Sequence, residues 1–91
     1  MTPLFMAACN CHEAVVRVLI VAGADFNKAI DIGATPLYVA AQNGHEAVVR
    51  VLIVAGADIN KAADNGVTPL FMAATTGQAA IVQLLRDAGA A

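Results

Sequence analysis

At 91 residues the chain is limited to one small domain, in which only about 60–65% of the unfolded surface can be buried, so its core must be efficient. Hydrophobic residues make up 59% and aromatic residues only 4%, which requires an aliphatic core of Ala, Val, Leu and Ile in close contact. The formal charge is −2 and the five Lys and Arg are scattered, so nothing in the charge pattern favours nucleic acid.

Thr2-Pro3-Leu4 follows Met1 directly and recurs as Thr35-Pro36-Leu37 and Thr68-Pro69-Leu70. Gly23, Gly56 and Gly89 keep the same 33-residue spacing. The chain is therefore three copies of one unit: residues 1–33, 34–66 and 67–91. The first copy lacks a leading loop and shows no polar adaptation of its outward face, so apolar surface is expected at its N-terminal end, covered by a further unit or by a partner chain.

The second copy can be read in full. Thr35 suits an N-cap and Pro36 the first helical position, where a missing N–H costs nothing. Leu37, Val39, Ala40 and Ala41 give this short helix apolar faces, and Gly44 supplies a left-handed residue to end it. From His45 a second helix carries Val48, Val49, Leu52 and Ile53 as a broad buried stripe, with Glu46 and Arg50 paired at i, i+4 on the opposite face. Gly56 stops that helix. Asn60, Asp64, Asn65 and Gly66 then favour turns, and an extended loop with a hairpin-like tip leads to the next Thr-Pro-Leu. In the third copy Arg86 and Asp87 replace the apolar pairs Ile20-Val21 and Ile53-Val54, giving its outer helix part of the polar character of a terminal cap.

A 33-residue unit with Thr-Pro-Leu at its head, Ala-Ala soon after, Gly-His between its helices and Gly-Ala-Asp near its end resembles the ankyrin repeat. The resemblance implies an all-α solenoid of three helix-turn-helix units, with two projecting β-hairpin-like fingers, forming one ankyrin-repeat domain over 1–91. Three features depart from the family pattern. Phe5, Tyr38 and Phe71 stand where the signature has His, Ile30 and Ala63 where the fingers commonly carry Asp, and Val21 and Val54 where the outer helix is usually polar. The aromatics are expected to fill space between units, and the two valines should align on the outer surface as ordinary exposed residues or as a self-association patch.

Cys9-Asn10-Cys11-His12 is the one cluster with the look of a metal site, but a structural zinc needs four ligands and no second pair exists. Comparison of the copies assigns these residues differently. Cys9 matches Gln42 and Thr75, while Cys11 matches the turn glycines Gly44 and Gly77, which marks both as free thiols. The resemblance makes His12 and His45 structural links between units. With no Ser in the chain and its glycines placed singly, no nucleophilic triad or phosphate loop is visible. No catalysis, cofactor or metal is expected.

Residues 12–25 and 45–58 are identical, and the differences between the first two copies gather in the inner helix, its closing turn and the finger. Units that stack must keep their joint, so variation marks positions open to solvent or a ligand. The resemblance carries partner contacts over to Asp31, Ile32, Ala34, Gln42 and Asn43 for the central unit. It adds Asp64, Asn65, Val67, Thr75 and Thr76 for the third and Cys9 and Asn10 for the first. The expected function is non-catalytic binding of a protein partner through fingers and inner helices. A structural C-terminal segment of a longer array, and an engineered or recombined scaffold, are the alternatives. The longest apolar run is too short to span a bilayer, no secretory signal is seen, and two closely spaced cysteines fit a reducing compartment, so a cytoplasmic or nuclear location is the default expectation.

Overall fold

The computed structural model describes residues 3–25, 27, 29 and 33–90. Six helices follow one another: α1 (Pro3–Cys9), α2 (Glu13–Val21), α3 (Pro36–Asn43), α4 (Glu46–Ala55), α5 (Pro69–Thr75) and α6 (Ala79–Asp87). Local chemistry sets their boundaries. Thr35 and Thr68 are extended N-caps whose hydroxyls accept the Tyr38 and Phe71 amides at 3.2 and 3.1 Å, with proline just inside each helix. Glycine in the left-handed region closes α3 at Gly44 (φ 75°) and α4 at Gly56 (φ 97°).

The helices form two rows. Inner helices α1, α3 and α5 stack on one another, outer helices α2, α4 and α6 do the same, and each inner helix packs on its own outer partner. The core is one aliphatic seam through both rows, with Leu4, Val16, Leu37, Val48, Val49, Leu52, Ile81 and Leu85 buried. Helices of seven to ten residues are too short to persist alone in water, so the stacking holds them.

Place in the stack decides which apolar residues are covered. Helices α2 and α4 share the sequence Glu-Ala-Val-Val-Arg-Val-Leu-Ile-Val, yet Val48 and Val51 are 0% and 8% exposed while their equivalents Val15 and Val18 are 48% and 66% exposed. Met6 is likewise 46% exposed against 6% for Val39. These positions face the preceding unit. Phe5 and Tyr38 are buried at 4% and 6%, whereas Phe71 is 58% exposed, so that position faces the following unit. The expected filling of space between units therefore holds for Phe5 and Tyr38, and the expected apolar surface at the N-terminal end is present as Met6, Val15 and Val18.

The turn between α1 and α2 takes the conformation its glycine counterparts take. Cys11 has φ 59°, beside 75° and 73° at Gly44 and Gly77, and is the one non-glycine residue with positive φ among the described residues. A side chain there is strained by about 1 kcal/mol relative to glycine, and the exposed thiol gives little packing in return. Cys11→Gly should raise stability by about 1 kcal/mol, read as a higher melting temperature; a lower one would contradict the account of this turn.

The hairpin-like character expected of the fingers is not confirmed: no strand forms among the described residues. The second finger is a looped segment closed at its tip where Ala63 N–H donates to the Val67 carbonyl at 2.9 Å and Gly66 N–H to the Ala63 carbonyl at 2.8 Å. Side chains hold the rest. Asp58 accepts the Asn60 amide at 3.1 Å and Asn65 accepts the Val67 amide at 3.1 Å, local turns that take the place of a ladder. Neighbouring loops are tied by Asn27, whose Oδ1 accepts the Asp58 amide at 2.7 Å. Ile30 in the first finger lies outside the described residues.

Candidate functional site

The inner helices end in a row of polar residues repeated from unit to unit. Cys9 and Asn10 close α1, Gln42 and Asn43 close α3, and Thr75 and Thr76 close α5; all but the half-buried Cys9 are exposed. Most of these side chains also serve their own helix. Asn10 Nδ2 donates to the Met6 carbonyl at 3.1 Å, and Thr75 and Thr76 donate to the Met72 carbonyl at 3.0 and 2.8 Å. Asn43 reaches across the joint, donating from Nδ2 to the Cys9 carbonyl at 3.2 Å, with the Cys9 sulfur 3.6 Å away.

In the second finger Asp64 and Asn65 are exposed and Val67 is half-buried. Asp31 and Ile32 lie outside the described residues. Ala34 leaves the expected set. Its side chain is buried in the core beside the start of α3, where a partner cannot touch it. The exposed members of the expected set are thus Asn10, Gln42, Asn43, Thr75 and Thr76 at the helix ends and Asp64 and Asn65 at the finger tip. Sequence comparison gave no hint of Asn27 or of Gly33, which lies against Asp64 in the next finger, because both are unchanged between the copies and so do not stand out as variable.

His45 explains why the histidine between the helices recurs. Its Nε2 lies 2.9 Å from the Cys9 carbonyl, an acceptor only, so that nitrogen carries the proton and donates. With Asn43 on the same oxygen, the C-terminal end of α1 is satisfied by the neighbouring unit. His12 holds the equivalent place in the first unit and is exposed. His45→Ala should cost about 1 kcal/mol by loss of this bond, with His12→Ala much nearer zero; equal melting temperatures for the two variants would refute the assignment.

Across the outer row a groove of about 480 Å³ lies between α2 and α4, with Ile20, Val21, Val51, Val54, Arg17 and Arg50 among its lining residues. Val21 and Val54 are almost fully exposed and do line up one unit apart. Each arginine is held by the glutamate four residues before it, Glu13 at 2.8 Å and Glu46 at 2.6 Å. Cys9 and Cys11 are free thiols, and among the described residues no three His, Cys, Asp or Glu come together in a way that could hold a metal ion. No helix among them is long and apolar enough to cross a membrane.

Short helix pairs stacked in two rows, with a loop returning the chain to each new Thr-Pro-Leu, define a repeat protein whose surfaces are built by stacking. The family model for ankyrin repeats, in three copies, matches residues 4–91, and the chain belongs to that family. Among solved structures it is similar to the crystal structure of the human ASB11 ankyrin repeat domain, with a TM-score of 0.94 and 33% sequence identity over 100% of this chain and 41% of that one. The chain thus spans about two fifths of the length of that domain. Curated proteins provide no match. Ankyrin repeats are generally protein–protein interaction modules and typically non-catalytic.

Proposed function

We propose that this chain is a non-catalytic module that binds a protein partner along the ends of its inner helices and the tip of its second finger. One observation carries the reading. The pairs at positions 9–10, 42–43 and 75–76 close successive inner helices, and their first member changes in every copy (Cys9, Gln42, Thr75), while the outer-helix segment of the first two units is invariant. Asn10, Gln42, Asp64 and Thr75 are the contacts best placed for this role, being exposed and not tied to a neighbouring unit by the bonds described above. Asn43 has a second duty at the joint.

The test compares faces. A protein captured by the chain and identified should lose at least tenfold in affinity when Asn10, Gln42, Asp64 and Thr75 are all changed to alanine, and should bind unchanged to a variant with serine at positions 21 and 54. The reverse pattern would place the contact on the outer helices and overturn the proposal. A longer array that binds where this chain does not would favour the structural-segment reading instead.

A further inference from the structure

Asn-Gly occurs twice in the chain, as Asn43-Gly44 and Asn65-Gly66, while Asn10, Asn27 and Asn60 precede residues that carry side chains. Glycine leaves its own backbone nitrogen unshielded, so that nitrogen can attack the amide carbon of the asparagine before it.

The two steps are held differently. Asn65 folds back on its own backbone, with its Oδ1 accepting the Val67 amide at 3.1 Å. A side chain that reaches the amide two residues on must lie along the intervening peptide, which brings Cγ beside the Gly66 nitrogen. The Val67 N–H also polarises the Cγ–Oδ1 bond and stabilises the oxyanion that attack creates. Asn65 and Gly66 are both exposed, and a Cβ on Gly66 would meet nothing within 4 Å, so the tip has room to rearrange. Asn43 is turned away from its own backbone. Its Nδ2 donates to the Cys9 carbonyl of the neighbouring unit at 3.2 Å, and a Cβ on Gly44 would lie 2.9 Å from the Gln78 side chain.

We propose that Asn65 is a site of self-modification, at which the second finger converts an amide at its tip to a carboxylate while Asn43, in the same dipeptide, is spared. The Gly66 nitrogen bonds to Asn65 Cγ, the Cγ–Nδ2 bond breaks, and Nδ2 leaves as ammonia with the proton given up by the Gly66 N–H. Water then opens the cyclic imide at either carbonyl, yielding aspartate or isoaspartate. The Gly66 N–H donates to the Ala63 carbonyl at 2.8 Å, so the reaction waits on opening of the tip. The matching Gly44 bond to Ala41 is longer, at 3.4 Å, so what protects Asn43 is its tie to Cys9 and not the bond on its glycine. Either product sets a second negative charge beside Asp64, whether or not the finger meets a partner. Isoaspartate also adds one carbon to the backbone between Ala63 and Val67, which weakens the bond that closes the tip.

Trypsin separates the two sites, placing Asn43 in residues 29–50 and Asn65 in residues 62–86. When the intact folded chain is incubated in mildly alkaline buffer, the 62–86 peptide should gain one mass unit at least ten times as fast as the 29–50 peptide. Fragmentation should place the gain at residue 65, and the converted peptide should resolve into two products of equal mass. In concentrated urea, where both Asn-Gly steps are free, the two rates should come together. Gly66→Ala, at an open position, should stay helical and slow the change at Asn65 at least tenfold, with Asn43 as before. Equal rates in the folded chain, a preference for Asn65 that persists in urea, or undiminished conversion in Gly66→Ala would overturn the proposal.

Discussion

Val48→Ala combined with Val51→Ala should lower the unfolding free energy by about 2–3 kcal/mol, while Val15→Ala combined with Val18→Ala should leave it within about 0.5 kcal/mol of the parent. The four residues occupy the same two places in helices of the same sequence, so propensity and local chemistry cancel in the comparison. In α4 each truncation removes buried methyl groups worth about 1.5 kcal/mol and opens a space between α2 and α4. Alanine's better helix propensity returns about 0.5 kcal/mol per site. In α2 the same valines are half to two-thirds exposed, and that small gain is enough to offset what is lost. For a domain of this size the larger change is a fall in Tm of roughly 10 °C or more. Equal losses in the two pairs would contradict the exposure of Val15 and Val18.

The unit itself was legible because its signals are local. Thr35 and Thr68 cap, Gly44 and Gly56 adopt positive φ, and His45 bridges to the unit before it, all as residue type and spacing require. Even the strained turn at Cys11 follows from aligning one copy with the next. Burial across a joint is a different kind of property. Nothing in Glu-Ala-Val-Val-Arg-Val tells α2 from α4, and only the presence of a unit on one side separates their exposures.

The candidate surface was read less fully than the fold for a related reason. Variation between copies points to solvent-facing positions, yet it also arises where a side chain is repacked, and Ala34 shows the limit: it differs from Met1 but lies in the core. Asn43 is constant with Asn10 and does two jobs, closing its helix and holding the Cys9 carbonyl, so its type alone could not assign it to a partner. The second finger closes its tip with two backbone bonds and forms no strand. Asx-type side-chain bonds satisfy amides that a ladder would otherwise take.

Gly33→Ala should destabilise the chain by at least about 2 kcal/mol, and Gly66→Ala by only about 1 kcal/mol. Both glycines close their fingers in the left-handed region, at φ 78° and 82°, so the conformational cost of a side chain is common to the two. Their surroundings differ. A Cβ on Gly33 would lie 2.8 Å from the backbone nitrogen of Asp64, whereas one on Gly66 meets nothing within 4 Å. A flexible side chain could swing away from such an approach, but the Asp64 backbone lies in a loop that the Ala63–Val67 tip and the Asn27–Asp58 bond hold in place. Relief therefore requires the second finger to move away from the first, loosening the tie that Asn27 makes. The difference between the two variants isolates this contact between fingers, and hydrogen exchange should locate it: in Gly33→Ala the Asp58 amide should lose protection ahead of the Leu52 amide in α4. Equal costs for the two substitutions, or unchanged protection at Asp58, would show that the fingers do not restrain one another.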